Sequence, residues 1–134
     1  MKKIEEIELP EELRYSPDHE WVRQENGLAR VGLTDYAQDQ LGDIVYVELP
    51  SVGGRIAQGA VFATVESVKS VSECLMPLAG EIVVANVSLT DNPALLNQSP
   101  YGDGWMIHVK PDDPSAAAQL LTAEGYLARL KGGA

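Results

Sequence analysis

The sequence predicts a mainly β protein, a small barrel or sandwich with a few added helical segments. Three observations support this fold class: short segments rich in β-branched residues, turn sequences between them, and a helical pattern near the end of the chain. A chain of 134 residues fits one domain. We expect a polar leader over residues 1–14, a β core over 15–110 and a helical tail over 111–134.

The predicted strands are short and are separated by turn residues. The dipeptide Asn26-Gly27 is typical of a two-residue hairpin turn between the first two strands. A short helix should follow the second strand, because Thr34 can cap residues 35–41 and Gly42 can end them. The expected strands are residues 21–23, 28–33, 44–49, 60–66, 71–76, 81–85 and 105–110.

The last part of the chain has a different pattern. Asp113 followed by Pro114 is typical of the start of a helix. Apolar residues then recur at helical spacing, namely Leu120, Leu121, Tyr126, Leu127 and Leu130. This pattern predicts an amphipathic helical tail, with Gly125 as a possible break.

The negative net charge of the chain disfavours some classes of binding partner. Twenty acidic residues face ten basic ones, and the formal net charge is -10. Such a surface repels phosphate backbones and anionic lipids, so neither nucleic acid nor a membrane is an expected partner. The first residues lack a signal-peptide pattern, and one cysteine, Cys74, excludes an internal disulfide. We therefore expect a cytoplasmic protein that binds basic surfaces of other proteins.

The sequence contains no self-sufficient catalytic set. His19 and His108 are far apart and match no metal-ligand spacing, so no metal site is expected. Cys74 cannot form a dithiol alone, and its place on a predicted strand favours a buried structural role. These patterns predict a protein that is not an enzyme.

One lysine has an unusual setting. Lys69 lies in a short turn between the apolar strands 61–65 and 71–76, with Glu66 and Glu73 on either side. Two interpretations follow from the residues alone. Lys69 is either an ordinary solvated surface residue, or an amine held away from the protein so that a modifying enzyme can reach it.

The segment Glu66-Ser67-Val68-Lys69 resembles the lipoylation motif of the glycine cleavage system H protein family. The similarity extends to other blocks in the same order, including Tyr15-Ser16-Pro17-Asp18-His19-Glu20-Trp21 and the segments 31–38, 41–50, 80–83 and 97–105. Biotin carriers centre on Met-Lys-Met and the lipoyl domains of 2-oxoacid dehydrogenases on Asp-Lys-Ala, and neither tripeptide occurs here.

The resemblance implies a flattened barrel-sandwich hybrid of two antiparallel sheets, like a lipoyl domain. It also implies lipoate attached covalently to Lys69, with Glu66, Ser67 and Val68 as the recognition motif. The implied role is a non-catalytic carrier that takes an aminomethyl group from glycine decarboxylase to aminomethyltransferase and passes electrons to dihydrolipoamide dehydrogenase. Lipoate would be installed by lipoate ligase, or by an octanoyltransferase and lipoyl synthase. A cleft that protects the loaded arm is expected, with Glu20 and Tyr36 as candidate lining residues.

The match weakens directly after the lysine. The family usually has Tyr-Ala where this chain has Leu75-Met76, and an aliphatic residue at the position of Cys74. Two alternatives therefore stay open. One is an H-like lipoate-binding protein that serves a heterodisulfide-reductase-like complex in sulfur oxidation. The other is an interaction module whose lysine is not modified.

Overall fold

Two antiparallel sheets form the framework of the computed structural model, which describes residues 1–132. One sheet has six strands in the order β1-β2-β3-β9-β8-β5, and the other has three in the order β4-β6-β7. The strands are β1 (Arg14–Tyr15), β2 (Glu20–Glu25), β3 (Leu28–Leu33), β4 (Ile44–Glu48), β5 (Arg55–Ile56), β6 (Val61–Ser67), β7 (Val71–Leu75), β8 (Gly80–Ala85) and β9 (Ile107–Pro111). The predicted mainly β fold of two antiparallel sheets is confirmed.

The helices are short and lie at the ends of strands. They are α1 (Asp35–Leu41), α2 (Ser88–Asp91), α3 (Leu95–Gln98) and α4 (Ala123–Lys131), with single 3-10 turns at Ile4–Glu6 and Ala116–Gln119. The predicted caps of α1 are confirmed: Thr34 Oγ1 accepts a hydrogen bond from the Ala37 amide, and Gly42 ends the helix with φ of 78°. Within residues 1–132, none of the helices has the length and apolar character needed to cross a bilayer.

The hairpin between β2 and β3 follows its turn sequence. Asn26 and Gly27 both have positive φ, 51° and 80°, as a type I′ turn requires. Two short strands were missed, β1 and β5, because two residues carry too little pattern to be recognised. The last strand begins at Ile107, two residues later than predicted.

Apolar residues from both sheets form one core, with Val31 and Ile82 from the larger sheet and Val47 and Val65 from the smaller one. All four side chains are buried. Burying an aliphatic side chain of this size contributes about 1.5–3 kcal/mol. The core therefore fixes the smaller sheet, and the hairpin it carries, against the larger sheet.

A second, aromatic cluster attaches α4 to the larger sheet. Its buried members are Leu13, Tyr15, Trp21, Tyr126 and Leu130. The rings of Tyr15 and Tyr126 stack with centroids 5.0 Å apart. Trp21 lies so close to Gly32 that a Cβ atom on that glycine would be 2.7 Å from the indole nitrogen. Residue 32 must therefore lack a side chain.

The tail is less helical than predicted. No α-helix begins at Pro114; instead the Ser115 amide and hydroxyl donate to Asp113 Oδ1 and close a turn. Leu121 then pairs with Tyr15 as an isolated bridge, and α4 begins only at Ala123. Helix α4 continues through Gly125 without a break. The last two residues of the predicted tail, 133 and 134, lie outside the described residues.

Candidate functional site

Lys69 lies at the tip of the hairpin that joins β6 to β7, and its side chain is exposed. The turn is closed by a hydrogen bond of 2.8 Å from the Ser67 amide to the Ser70 carbonyl. Ser67 Oγ also accepts from the amides of Ser70 at 3.1 Å and Lys69 at 3.3 Å. The buried Ser67 side chain therefore shapes the turn from inside, as serine hydroxyls often do in tight turns.

A second segment, the loop between α1 and β4, contacts the hairpin tip. The Val68 amide donates to the Asp43 carbonyl at 3.0 Å. A Cβ atom on Gly42 would be 3.3 Å from Lys69 Cε and 3.7 Å from Nζ. The stem of the lysine thus lies over Gly42, at the carboxyl end of α1, where helix carbonyls attract a positive charge.

Asn97, on α3, holds this supporting loop. Its Nδ2 donates to the Gly42 carbonyl and to Gln38 Oε1, both at 2.9 Å. Its Oδ1 accepts from the Ile44 amide at 2.9 Å. Sequence reasoning assigned no role to this side chain. The only hint in the sequence is that Asn97 lies in the segment 97–105, which resembles the family. The partners of its side chain lie 53 to 59 residues away, so no local pattern reveals them.

We expect Asn97→Ala to lower the free energy of unfolding by about 2–3 kcal/mol, because it leaves the Ile44 amide and the Gly42 carbonyl without partners. Urea denaturation measures this loss. Asn92→Ala is the matched control, since Asn92 is exposed and no side-chain hydrogen bond is found for it within residues 1–132. Equal stability of the two variants would contradict the assigned role.

Acidic residues surround the hairpin tip without pairing with it. Asp43, Glu48 and Glu73 are exposed, and Glu66 is half-buried. In the part of the chain that the structure describes, no carboxylate oxygen lies within 4.0 Å of Lys69 Nζ. The amine is therefore exposed and forms no ion pair with a described residue.

A cleft of about 270 Å³ lies between α1 and β7. Its lining includes His19, Glu20, Tyr36, Leu41, Ser72 and Glu73. Leu41 precedes the glycine under the Lys69 stem, and Ser72 follows Lys69 by three residues. The cleft therefore opens next to the hairpin tip, and it brings together Glu20 and Tyr36, which the sequence left far apart.

Two titratable groups in the cleft are shifted toward their neutral forms. Burial raises the pKa of Glu20 to about 8, although its carboxylate accepts from Ser16 Oγ at 2.7 Å and from the Leu75 amide at 3.3 Å. Burial also lowers the pKa of His19, whose Nδ1 is 2.7 Å from the Tyr126 hydroxyl. Near pH 7 these two side chains therefore favour their neutral forms, and the negative charge of the cleft comes from Asp18 and Glu73, which also line it.

The other sequence candidates lie apart from this site. Cys74 is buried on β7, where burial raises its thiol pKa and suppresses reactivity. His108 stacks on Trp105 with ring centroids 4.4 Å apart and accepts from Arg30 Nε. Among residues 1–132, no group of three or more His, Cys, Asp or Glu side chains could hold a metal ion.

Comparison with known proteins places this fold and hairpin in a family. The model of the family described as "Glycine cleavage H-protein" matches residues 13–132. The chain belongs to the glycine cleavage H-protein family. The glycine cleavage system H protein of Bacteroides thetaiotaomicron is 51% identical over 126 residues, which are 94% of this chain and 100% of that protein. The H protein of Geobacillus thermodenitrificans is 54% identical over 127 residues, 95% of this chain and 100% of the relative.

A solved structure of the same family has the same fold. The crystal structure of a glycine cleavage system H protein from Mycobacterium marinum is similar at a TM-score of 0.85 and 38% identity. The match covers 92% of this chain and 99% of that one. The arrangement of two sheets described above is therefore that of the H-protein family.

The residues that depart from the usual family pattern point away from the hairpin tip. Cys74 and Met76 are buried in the core, and Leu75 is half-buried toward the far end of β7. These three positions are therefore core or partly buried positions of β7 and its end, and none of them is at the hairpin tip.

Proposed function

We propose that this chain is the lipoyl carrier of a glycine cleavage system, with lipoate attached through an amide to Lys69 Nζ. The whole chain then acts as one carrier domain. Its partners are glycine decarboxylase, aminomethyltransferase, dihydrolipoamide dehydrogenase and the enzymes that install lipoate. The single cysteine suits a reducing compartment, so we place this function in the cytoplasm.

The observation that carries the proposal is the presentation of Lys69. Its amine is exposed and unpaired, and Ser67 and Asp43 fix the backbone on which it stands. An enzyme can enclose such an amine without unfolding any part of the carrier. A bound lipoyl group supplies a dithiolane that carries an aminomethyl group and electrons. The protein supplies position and effective concentration, which suits a carrier and needs no catalytic residues of its own.

We further propose that the cleft beside Lys69 shelters the loaded arm. Leu41 lines the cleft and precedes Gly42, which lies against the Lys69 stem, so an arm attached to Nζ has only a short distance to reach the cleft. Leu41 and Tyr36 offer apolar surface, while Glu20 is buried at the wall of the cleft, where Ser16 and Leu75 hold its carboxyl group. Sheltering would exclude water from a labile adduct.

The names of the relatives favour glycine cleavage over the two alternatives. Relatives that share 51% and 54% of their residues with this chain, over their full length, are named glycine cleavage system H proteins. The substitutions that suggested a sulfur-oxidation carrier lie away from the tip. An unmodified interaction module would show no mass increase at Lys69 in protein from the native host, which intact mass measures.

The deciding experiment is the exchange of labelled carbon dioxide into glycine. It uses the protein lipoylated at Lys69, checked by intact mass, together with glycine decarboxylase from the same organism. We expect exchange that depends on the carrier concentration. The unlipoylated protein, prepared in the same way, is the control. Absence of exchange with fully lipoylated protein and an active decarboxylase would overturn the proposal.

A further inference from the structure

The outer face of the small sheet, below Lys69, carries several exposed apolar side chains. Strand β4 has an irregular register between Ile44 and Tyr46, where it pairs with β6. This bulge turns two consecutive side chains outward: Val45 is 55% exposed and Tyr46 is 46% exposed. In a regular strand, one of the two would point into the core.

The strand register defines what else lies on this face. Tyr46 is opposite Glu66, and Glu66 is opposite Val71, which is 62% exposed. At the tip above this row, Val68 is 71% exposed. Val68 precedes Lys69 directly, and Val71 follows it by two positions. We call Val45, Tyr46, Val68 and Val71 the apolar row.

An acidic row lies next to it, one step farther from the tip. Glu48 and Glu73 are both opposite Thr64, so they lie on the same face of the sheet as Tyr46 and Val71. Both are exposed, and neither takes part in an ion pair within residues 1–132. The face therefore combines the four exposed apolar side chains of the apolar row with three carboxylates, and the half-buried Glu66 lies between Tyr46 and Val71.

We propose that this face is the docking surface for the enzyme that acylates Lys69, and that the enzyme covers it with an apolar patch bordered by basic residues. The inference rests on the proposed function and names the surface that this function needs. A second copy of the chain is a poor occupant, because two proteins of charge -10 repel each other.

The chemistry of acylation makes the contact necessary. The uncharged Lys69 amine forms an amide bond to the carbonyl carbon of an acyl adenylate. The bond from that carbon to the phosphate oxygen breaks, AMP leaves, and the nitrogen loses one proton. For this step the enzyme must enclose a lysine whose stem lies against Gly42. Val68 and Val71, one and two positions from Lys69 on the same hairpin, then lie in the interface, and Tyr46 is next to them across the sheet through its pairing with Glu66.

The test uses the unlipoylated protein with lipoate ligase, lipoate and ATP, and measures KM and kcat for the carrier. We expect the double variant Tyr46→Thr, Val71→Thr to raise KM about tenfold with little change in kcat, because a few buried apolar residues dominate such interfaces. Threonine preserves strand propensity, and near-ultraviolet circular dichroism checks the fold. Val52→Thr is the control. Val52 is also 62% exposed, but it follows the carboxyl end of β4, which is the end away from the hairpin tip.

The acidic row is tested through salt dependence. Glu48→Gln with Glu73→Gln should lower kcat/KM several-fold at low ionic strength and have little effect at high salt. Glu124→Gln, an exposed change on α4, is the matched control. An unchanged KM in the apolar double variant would overturn the proposal, and so would an equal effect of Val52→Thr.

A further comparison separates this inference from the proposed function. If the apolar variants are acylated normally but fail in glycine exchange once lipoylated, the face serves the decarboxylase and the inference is wrong, while the carrier function stands. If the variants show slow acylation but normal exchange once lipoylated, the inference is supported. Acylation by lipoate ligase does not involve glycine decarboxylase. The acylation rates therefore test this inference whether or not the unchanged protein supports exchange.

Discussion

Lys69→Arg should abolish acylation of the protein completely while leaving its fold intact. The guanidinium group stays protonated at all accessible pH values and is a poor nucleophile, so no amide can form. The side chain is exposed, and a substitution at such a position changes stability by no more than about 0.5 kcal/mol. Intact mass after incubation with lipoate ligase, lipoate and ATP measures the loss.

Lys110→Arg is the control for this result. Lys110 is also exposed and also lies on a strand, but that strand, β9, belongs to the larger sheet. The control should gain one lipoyl group like the unchanged protein. A lipoyl mass increase on the Lys69→Arg protein would show that another amine is the attachment site.

The hairpins were predictable because their signals are local. Asn26-Gly27 specifies a turn through two residues that accept positive φ. The position of Lys69 between two apolar strands likewise needs only ten or so neighbouring residues to be recognised. The tip of β6 and β7 could therefore be placed from sequence alone.

The support beneath the tip could not be predicted, because it depends on contacts between distant segments. Asn97 acts on Gly42 and Ile44 from another helix. The same holds for the cleft, where the carboxylate of Glu20 accepts from the Leu75 amide, 55 residues away. No periodicity in a single sequence encodes such pairs.

Asp113 is followed only by a 3-10 turn at Ala116–Gln119, and not by the long helix predicted to begin there, for a related reason. Asp113 followed by Pro114 is compatible both with a helix start and with a turn. The competing contact is the pairing of Leu121 with Tyr15, which ends the segment in an extended conformation. A short strand at the other end of the chain thus decided where the helix could begin.

Glu20 should make the protein less stable as the pH rises. Its pKa is about 8 in the folded protein against 4.5 in an exposed carboxyl group, because burial disfavours the charged form. Below pH 4.5 the carboxyl is protonated in both states. Between these pKa values the unfolded chain loses the proton while the folded protein keeps it, so the free energy of unfolding falls. Above about pH 8 both states are ionised and this loss is complete.

Glu20→Gln should remove this dependence, because the amide does not titrate and keeps nearly the same shape. We expect the stability difference between Glu20→Gln and the unchanged protein to shift by about 4 kcal/mol in favour of the variant between pH 5 and pH 8.5. Urea denaturation at both pH values measures it, and taking the difference cancels the titration of every other group. Glu124→Gln, on the exposed side of α4, should show no such shift. Parallel pH profiles for Glu20→Gln and the unchanged protein would mean that the folded protein does not raise the pKa of Glu20, and that Glu20 adds a third negative charge to Asp18 and Glu73 in the cleft near pH 7.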